Sequence, residues 1–220
     1  RMKKTIIFYL NNDEIFTFPI AFFLINKLSI KYNIKIKLAN TSIRKKIKII
    51  LIFILDGSIK YLFKYYNKKK SIDELLSFKN VDLITNDINY KFEFGISLNY
   101  PDRILNNKLY IYNFHLGDFT HQRGTFIFFY KYIFKWKSVD LTFHKISDKL
   151  DNGEIINQRK IALKKINAIN LIALTLQNKD FYLKSIFLLN NKKRNKYKKK
   201  PVGPINKEPG FFKILKTNFN

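Results

Sequence analysis

The residue types able to move protons or hold a developing charge gather in one stretch of this 220-residue chain, Tyr112 to Gln158 (YNFHLGDFTHQRGTFIFFYKYIFKWKSVDLTFHKISDKLDNGEIINQ). All 3 histidines fall inside it, His115, His121 and His144, together with the carboxylates Asp148 and Asp151. Histidine is the side chain whose ordinary pKa puts its charge change near neutrality, so this density points to proton transfer. It does not point to a metal. The histidines are not spaced as ligands, and only His115 has a chemical partner at a meaningful spacing. With no cysteine in the chain there is neither a thiolate site nor a cysteine nucleophile.

The elements that must position these groups alternate between strand and helix patterns. Thr5–Leu10 (TIIFYL) reads as a buried first strand and Ile15–Leu28 as a helix packed on it. Ile34–Leu38 and Lys48–Leu55 read as further strands, Ser58–Asn67 as an aromatic helix, and Ser71–Leu76 as a segment opened by a Ser71/Glu74 capping box. Val81–Thr85 and Gly95–Tyr100 follow as strands. This alternation predicts a mainly parallel α/β sheet, whose ligands collect beyond the carboxyl ends of the strands. A short strand Leu109–Tyr112 then delivers Asn113, Phe114 and His115 just past its end, with Asn113 and His115 on one side. A loop with Gly117 and Gly124, an aromatic helix over about Thr125–Trp136, a strand Val139–His144 and a polar loop Lys145–Glu154 complete the stretch. On its strand His144 reads as a structural residue. Lys160–Leu163 reads as a last strand and Ala168–Gln177 as a helix; Asn190–Lys200 is strongly basic and the tail is punctuated by proline and glycine.

Composition sets the bounds. The length suits one substantial domain. The formal charge of +26 would ordinarily suggest nucleic acid or an anionic surface. Here the excess is lysine spread along the chain amid isoleucine, asparagine and phenylalanine, a mixture that an AT-biased genome yields without a polyanionic partner, so no nucleic acid is expected. The longest apolar run, Ile49–Leu55, is far short of a membrane span and is expected to be a buried strand, without membrane insertion. The basic start is followed by an apolar run broken at Asn11–Glu14 with no cleavage signal, so a cytoplasmic location is expected. No dinucleotide fingerprint or phosphate loop occurs.

Taken together, Asn113-Phe114-His115, Arg123-Gly124, Thr142-Phe143-His144 and Asp151-Asn152-Gly153-Glu154-Ile155-Ile156 with Gln158 resemble the formyltetrahydrofolate-dependent formyltransferases in order and spacing. The loop Leu116–Gln122 departs from that pattern in lacking proline. The resemblance implies a Rossmann-like formyltransferase fold, with a mainly parallel central sheet flanked by helices and a short C-terminal extension. The catalytic domain would span 2–165 and the extension, dimerising, 166–220. It implies transfer of a formyl group from 10-formyltetrahydrofolate to an amine, without a metal, with Asn113, His115 and Asp151 as the catalytic trio. Asn113 and His115 would stabilise the oxyanion, an effect worth about 10²- to 10³-fold in rate, and Asp151 would orient His115 and help remove the amine proton. The folate would meet Ser97, Leu98, Asn99 and Tyr100 on one side and Ser147, Asp148, Lys149 and Leu150 on the other. Arg123, His121 and Gln122 would touch the substrate.

Three branches compete for the acceptor. Methionyl-tRNA formyltransferases carry an additional C-terminal domain for which 166–220 is short. Glycinamide ribonucleotide transformylases place a glycine-containing phosphate loop where this chain has Asn11-Asn12-Asp13-Glu14. The sugar N-formyltransferases fit best. That resemblance implies a nucleotide-linked amino sugar of the dTDP-4-amino-4,6-dideoxyhexose type as substrate, a role in O-antigen and lipopolysaccharide synthesis, and a homodimer held through Phe181–Leu189 and Phe211–Leu215. The rival from another class is a non-enzymatic basic module in which Lys192–Lys200 meets RNA or anionic lipid.

Overall fold

The computed structural model describes residues 3–12, 17–60, 72–85, 91–102, 104, 110–163, 167–190 and 202–219. A seven-stranded sheet in the order β3-β2-β1-β4-β5-β6-β7 runs through the centre. Its strands are β1 Lys4–Asn11, β2 Tyr32–Ala39, β3 Val81–Ile84, β4 Phe94–Leu98, β5 Ile111–Leu116, β6 Ser138–Lys145 and β7 Ile155–Ala162. The first five pair in parallel, whereas β6 is antiparallel to both β5 and β7. β1 is buried from Ile6 to Asn11 without alternation, as a central parallel strand covered on both faces must be. The expected mainly parallel α/β architecture is therefore present.

Helices α1 Thr17–Leu28, α2 Ile43–Leu55, α3 Ile72–Leu76, α4 Ile127–Ile133, α5 Ala168–Gln177, α6 Lys179–Asn190 and α7 Phe211–Leu215 surround the sheet. One face packs Phe8, Ile36, Ile96 and Phe143 against Phe18 and Leu24 of α1, Leu75 of α3 and Phe181 and Ile186 of α6. Phe181, Tyr182 and Ile186 are thus spent on the chain's own core rather than offered to a second copy. On the other face Ile7, Tyr9 and Ile111 form a smaller cluster. A further cluster joins Phe53 of α2, Phe129 of α4, Ile169 of α5 and Ile214 of α7.

Lys48–Leu55 is not a strand. It is the C-terminal part of α2, a helix begun by Ser42, whose hydroxyl accepts from the Lys45 N–H. A short β-branched apolar run is compatible with either state, and here the cap and the spacing of isoleucines from Ile43 onward decide for helix. At its other end the Asp56 carboxylate accepts from the Ala168 N–H at 2.7 Å and the Tyr132 hydroxyl at 2.9 Å, tying α2 to the start of α5 and to α4. β5 runs to Leu116, so Asn113 and His115 lie within the strand and not past its end, and the last strand begins at Ile155 rather than Lys160. Most of the Ser58–Asn67 helix, residue Ser71 of the capping box and nearly all of the basic run Asn190–Lys200 lie outside the described residues. Among the described residues no helix is long and apolar enough to cross a membrane.

Phe143 sits where β6 meets this core, fully buried and stacked on Phe114 at 4.3 Å and Tyr112 at 5.4 Å. Phe143→Ala is expected to lower stability by about 3–5 kcal/mol, read as a fall in the urea midpoint without a change in slope.

Candidate active site

The sheet's pairing register assembles the first part of the site. Ser97 on β4 lies beside Asn113 on β5, and Asn113 lies opposite His144 on β6, which puts all three in one row on one face. His115 and Thr142 form the next row on that face. The Asn113 Nδ2 is 3.3 Å from His144 Nε2, and His144 Nδ1 is 2.9 Å from the Lys145 carbonyl. A carbonyl oxygen only accepts, so Nδ1 carries the proton and Nε2 is the acceptor for the Asn113 amide. Burial leaves His144 2 % exposed and pushes its pKa down to about 4, with His115 adding to the effect and Asp151 opposing it. At neutral pH His144 is therefore an uncharged anchor that fixes the rotation of the Asn113 amide.

The second part is Asp151, 5 % exposed, in the loop between β6 and β7. Its Oδ1 lies 3.7 Å from both His115 Nδ1 and His144 Nε2, and its Oδ2 accepts the Gly124 N–H at 2.9 Å. The backbone at Asp151 is left-handed, with φ +44°, a region that aspartate tolerates better than most residues. Arg123 holds the preceding residue. Its Nε and one terminal nitrogen fork onto the Leu150 carbonyl at 2.8 and 2.6 Å, and the other terminal nitrogen donates to Gly203 at 3.0 Å. The loop's return is tight, since a Cβ on Gly153 would stand 1.6 Å from the Lys145 carbonyl oxygen.

The third part is the loop after β5. His115 Nε2 is 2.9 Å from the Gln122 carbonyl, so Nε2 carries a proton and Nδ1 is the atom that faces Asp151. Gly117 turns the chain at φ +143°, where a Cβ would lie 2.1 Å from that carbonyl oxygen. Asp118 then closes the loop. Its burial favours the neutral acid, but the N–H groups of His121, Gln122 and Thr120 donate to it and hold its pKa below the ordinary aspartate value.

No protein-family model and no curated protein matches the chain. Solved structures do. WlaRD, a sugar 3N-formyl transferase crystallised with dTDP and 5-N-formyl-THF, superposes with a TM-score of 0.65 at 16% identity, covering 94% of this chain and 70% of that one. A 4-N formyltransferase from Francisella tularensis gives 0.59 at 19% identity over 93% and 76% of the two chains. The fold is the formyltransferase fold. The methionyl-tRNA formyltransferase of Clostridium thermocellum shares it, with a TM-score of 0.51 at 13% identity, covering 95% of this chain and 74% of its own.

On this formyltransferase fold the sequence-derived site residues fall into three groups. Asn113, His115 and Asp151 converge, joined by His144, which sequence reading took as structural. The signal that could have found it is the antiparallel pairing of T-x-H with N-x-H, which sets His144 opposite Asn113. Ser97 shares the Asn113 row, Leu98 is buried, Asn99 is exposed with φ +53°, and Tyr100 packs edge-on to Tyr9. Ser147, Asp148, Lys149 and Leu150 are exposed; Ser147 donates to the Lys149 carbonyl, and Tyr100 and the adjacent Ile146 border one apolar cluster. In the third group two of the three side chains, those of Arg123 and Gln122, hold backbone groups. The Arg123 guanidinium binds backbone carbonyls, and the Gln122 amide is stitched to Ser138 and Asp140 of β6. His121 is exposed, 3.7 Å from Asp118.

Sequence reading also missed the segment 202–206. It crosses the loop in register, with Gly203 N–H donating to Phe119, Asn206 N–H to Arg123 and Thr125 N–H to Asn206. Among the described residues no cluster of side chains could hold a metal ion.

The depressed His144 pKa has a definite sign in stability. Between about pH 6.5 and 4 the unfolded chain binds a proton at this histidine that the folded chain does not, so stability falls as pH drops through that window. Urea midpoints measured from pH 7 to 4.5 are expected to decline, and His144→Phe should flatten the decline. A slope equal to wild type in that variant would show that another group is responsible.

Proposed function

We propose that this chain is an N-formyltransferase that moves the formyl group of 10-formyltetrahydrofolate to the amine of a nucleotide-linked amino sugar. The observation that carries this reading is the convergence of Asn113, His115 and Asp151 on a formyltransferase fold, with each side chain held by its own partner. The sugar branch is supported by one of the similar structures, a sugar 3N-formyl transferase crystallised with dTDP. The acceptor in this proposal is a dTDP-linked 4-amino-4,6-dideoxyhexose made for O-antigen or lipopolysaccharide, in a cytoplasmic setting.

The chemistry follows from the geometry. The neutral amine attacks the formyl carbon and negative charge develops on the formyl oxygen. An amide has two N–H groups; His144 takes one from Asn113, and the other is free in direction to meet that oxygen without reorganising. Because the Gln122 carbonyl holds His115 Nε2, oxyanion stabilisation in this arrangement rests first on Asn113, and His115 contributes once Nε2 exchanges that carbonyl for the substrate. Asp151 accepts the amine proton, directly or through water, and the His115 Nδ1 beside it, which carries no hydrogen, is placed to share that proton. Collapse of the tetrahedral adduct breaks the bond to N10, which takes up a proton. The products are the N-formyl sugar and tetrahydrofolate.

The folate lies, in this proposal, against Ser97–Tyr100 and Ser147–Leu150, which flank the trio. Arg123 acts as a positioning residue, presenting Asp151 by holding the Leu150 carbonyl.

Incubation with 10-formyltetrahydrofolate and a panel of nucleotide-linked amino sugars is expected to release tetrahydrofolate with at least one acceptor. His115→Ala and Asp151→Ala should each remove nearly all turnover with an unchanged circular dichroism spectrum, and Asn113→Ala should lower kcat by about 10²- to 10³-fold. Turnover near wild type in any of the three overturns the assignment.

A further inference from the structure

Helix α2 is amphipathic the wrong way round for a lone domain. Its inward side carries Lys48, buried and paired with Glu208, next to Ile52 and Phe53. Its outward side carries Ile43, Ile47, Ile50 and Ile54, which are 75 %, 50 %, 44 % and 52 % exposed. A solvent-facing helical surface is ordinarily polar. Four β-branched apolar side chains in a line need a cover.

The spacing identifies its kind. The steps from Ile43 to Ile47, Ile50 and Ile54 are four, three and four residues, the alternation of a coiled-coil seam. At 100° per residue the four side chains fall within a stripe about 60° wide. Leu55, 38 % exposed at the last position of the helix, is the one other exposed large apolar residue on α2, so the face is narrower than that of a helix lying in a lipid surface and matches the width that one partner helix covers.

The pattern also identifies the partner. Read backwards, the steps are again four, three and four, so the stripe is its own complement under a two-fold axis between Ile47 and Ile50, as a symmetric interface requires. Charge agrees. Arg44, Lys45, Lys46 and Lys48 occupy the first half of the helix, and Ile49–Leu55 carries no charge. In an antiparallel pair each cationic half lies over the partner's uncharged half and towards the negative end of its helix dipole. A parallel pair would bring the two cationic halves together. We infer that the protein forms a two-fold dimer through antiparallel α2 helices, Ile43 meeting the partner's Ile54 and Ile47 the partner's Ile50. This interface is separate from the C-terminal one expected from sequence and does not involve the catalytic trio.

These 220 residues contain no cysteine, which makes the test clean. Light scattering on the 220-residue chain at micromolar concentration is expected to give a dimer, and Ile47→Glu with Ile50→Glu is expected to lower the mass to 26.4 kDa. These side chains are exposed, so the circular dichroism spectrum should not change. As a second measurement, single Ile43→Cys and Ile54→Cys proteins are mixed and oxidised. A disulfide-linked dimer confined to the mixture supports the antiparallel pairing, also where the glutamate variant fails to fold. A monomeric wild type, a dimer that survives both glutamates, cross-linking of Ile43→Cys to itself, or a monomer that sediments with phosphatidylserine vesicles each overturns the proposal.

Discussion

Everything in the site is arranged around a carboxylate taken out of water. Asp151 is buried beside the sheet, and a buried carboxylate costs several kcal/mol unless its oxygens find partners. The protein meets part of that cost with the Gly124 N–H on one oxygen, while the ring nitrogens nearest the other, His115 Nδ1 and His144 Nε2, are the ones their backbone partners leave without hydrogen. The histidines are not equivalent. His144 is kept neutral by burial and spends its Nε2 on Asn113, whereas His115 turns Nδ1 towards the carboxylate. One is an anchor and the other is placed to share a proton. That asymmetry is set by two backbone carbonyls, those of Lys145 and Gln122, each of which dictates which ring nitrogen bears hydrogen.

The sheet explains why these groups can meet. In an all-parallel sheet neighbouring strands leave in the same direction and their side chains reach the site only from strand ends. The antiparallel β6 instead lays His144 opposite Asn113 within the sheet, while the loop that follows folds back to deliver Asp151. The site is consequently half strand and half loop. The strand half is as rigid as the hydrogen-bonded ladder, and the loop half borrows rigidity from the Arg123 fork and the Asp118 turn.

How much of this was legible depended on whether a feature was local. N-x-H and D-x-G could be read because β-strand alternation and a glycine-bearing turn are properties of a few consecutive residues. The parallel α/β architecture could be read from alternating apolar runs. His144 could not be assigned a role, because its partner is set by the β5/β6 register. Arg123 looked like a residue for substrate, since nothing in sequence shows that its fork will find the carbonyls of Leu150 and Gly203. Lys48–Leu55 misled for a different reason: a continuous apolar run satisfies a buried strand and a helix equally, and only the Ser42 cap and the tertiary setting separate them.

The contact between Arg123 and Gly203 spans 80 residues of chain, and it bears on the order in which the protein comes into being. Chains emerge from the ribosome at about 5–20 residues per second, so Arg123 waits roughly 4–16 s for the segment that completes its fork. During that interval the sheet can already be paired through β7, yet Arg123, which presents Asp151 through the Leu150 carbonyl, lacks one of its three hydrogen bonds. The nascent protein is thus foldable before it is competent, and the synthesis of the segment 202–206 acts as the step that seals a centre already laid down.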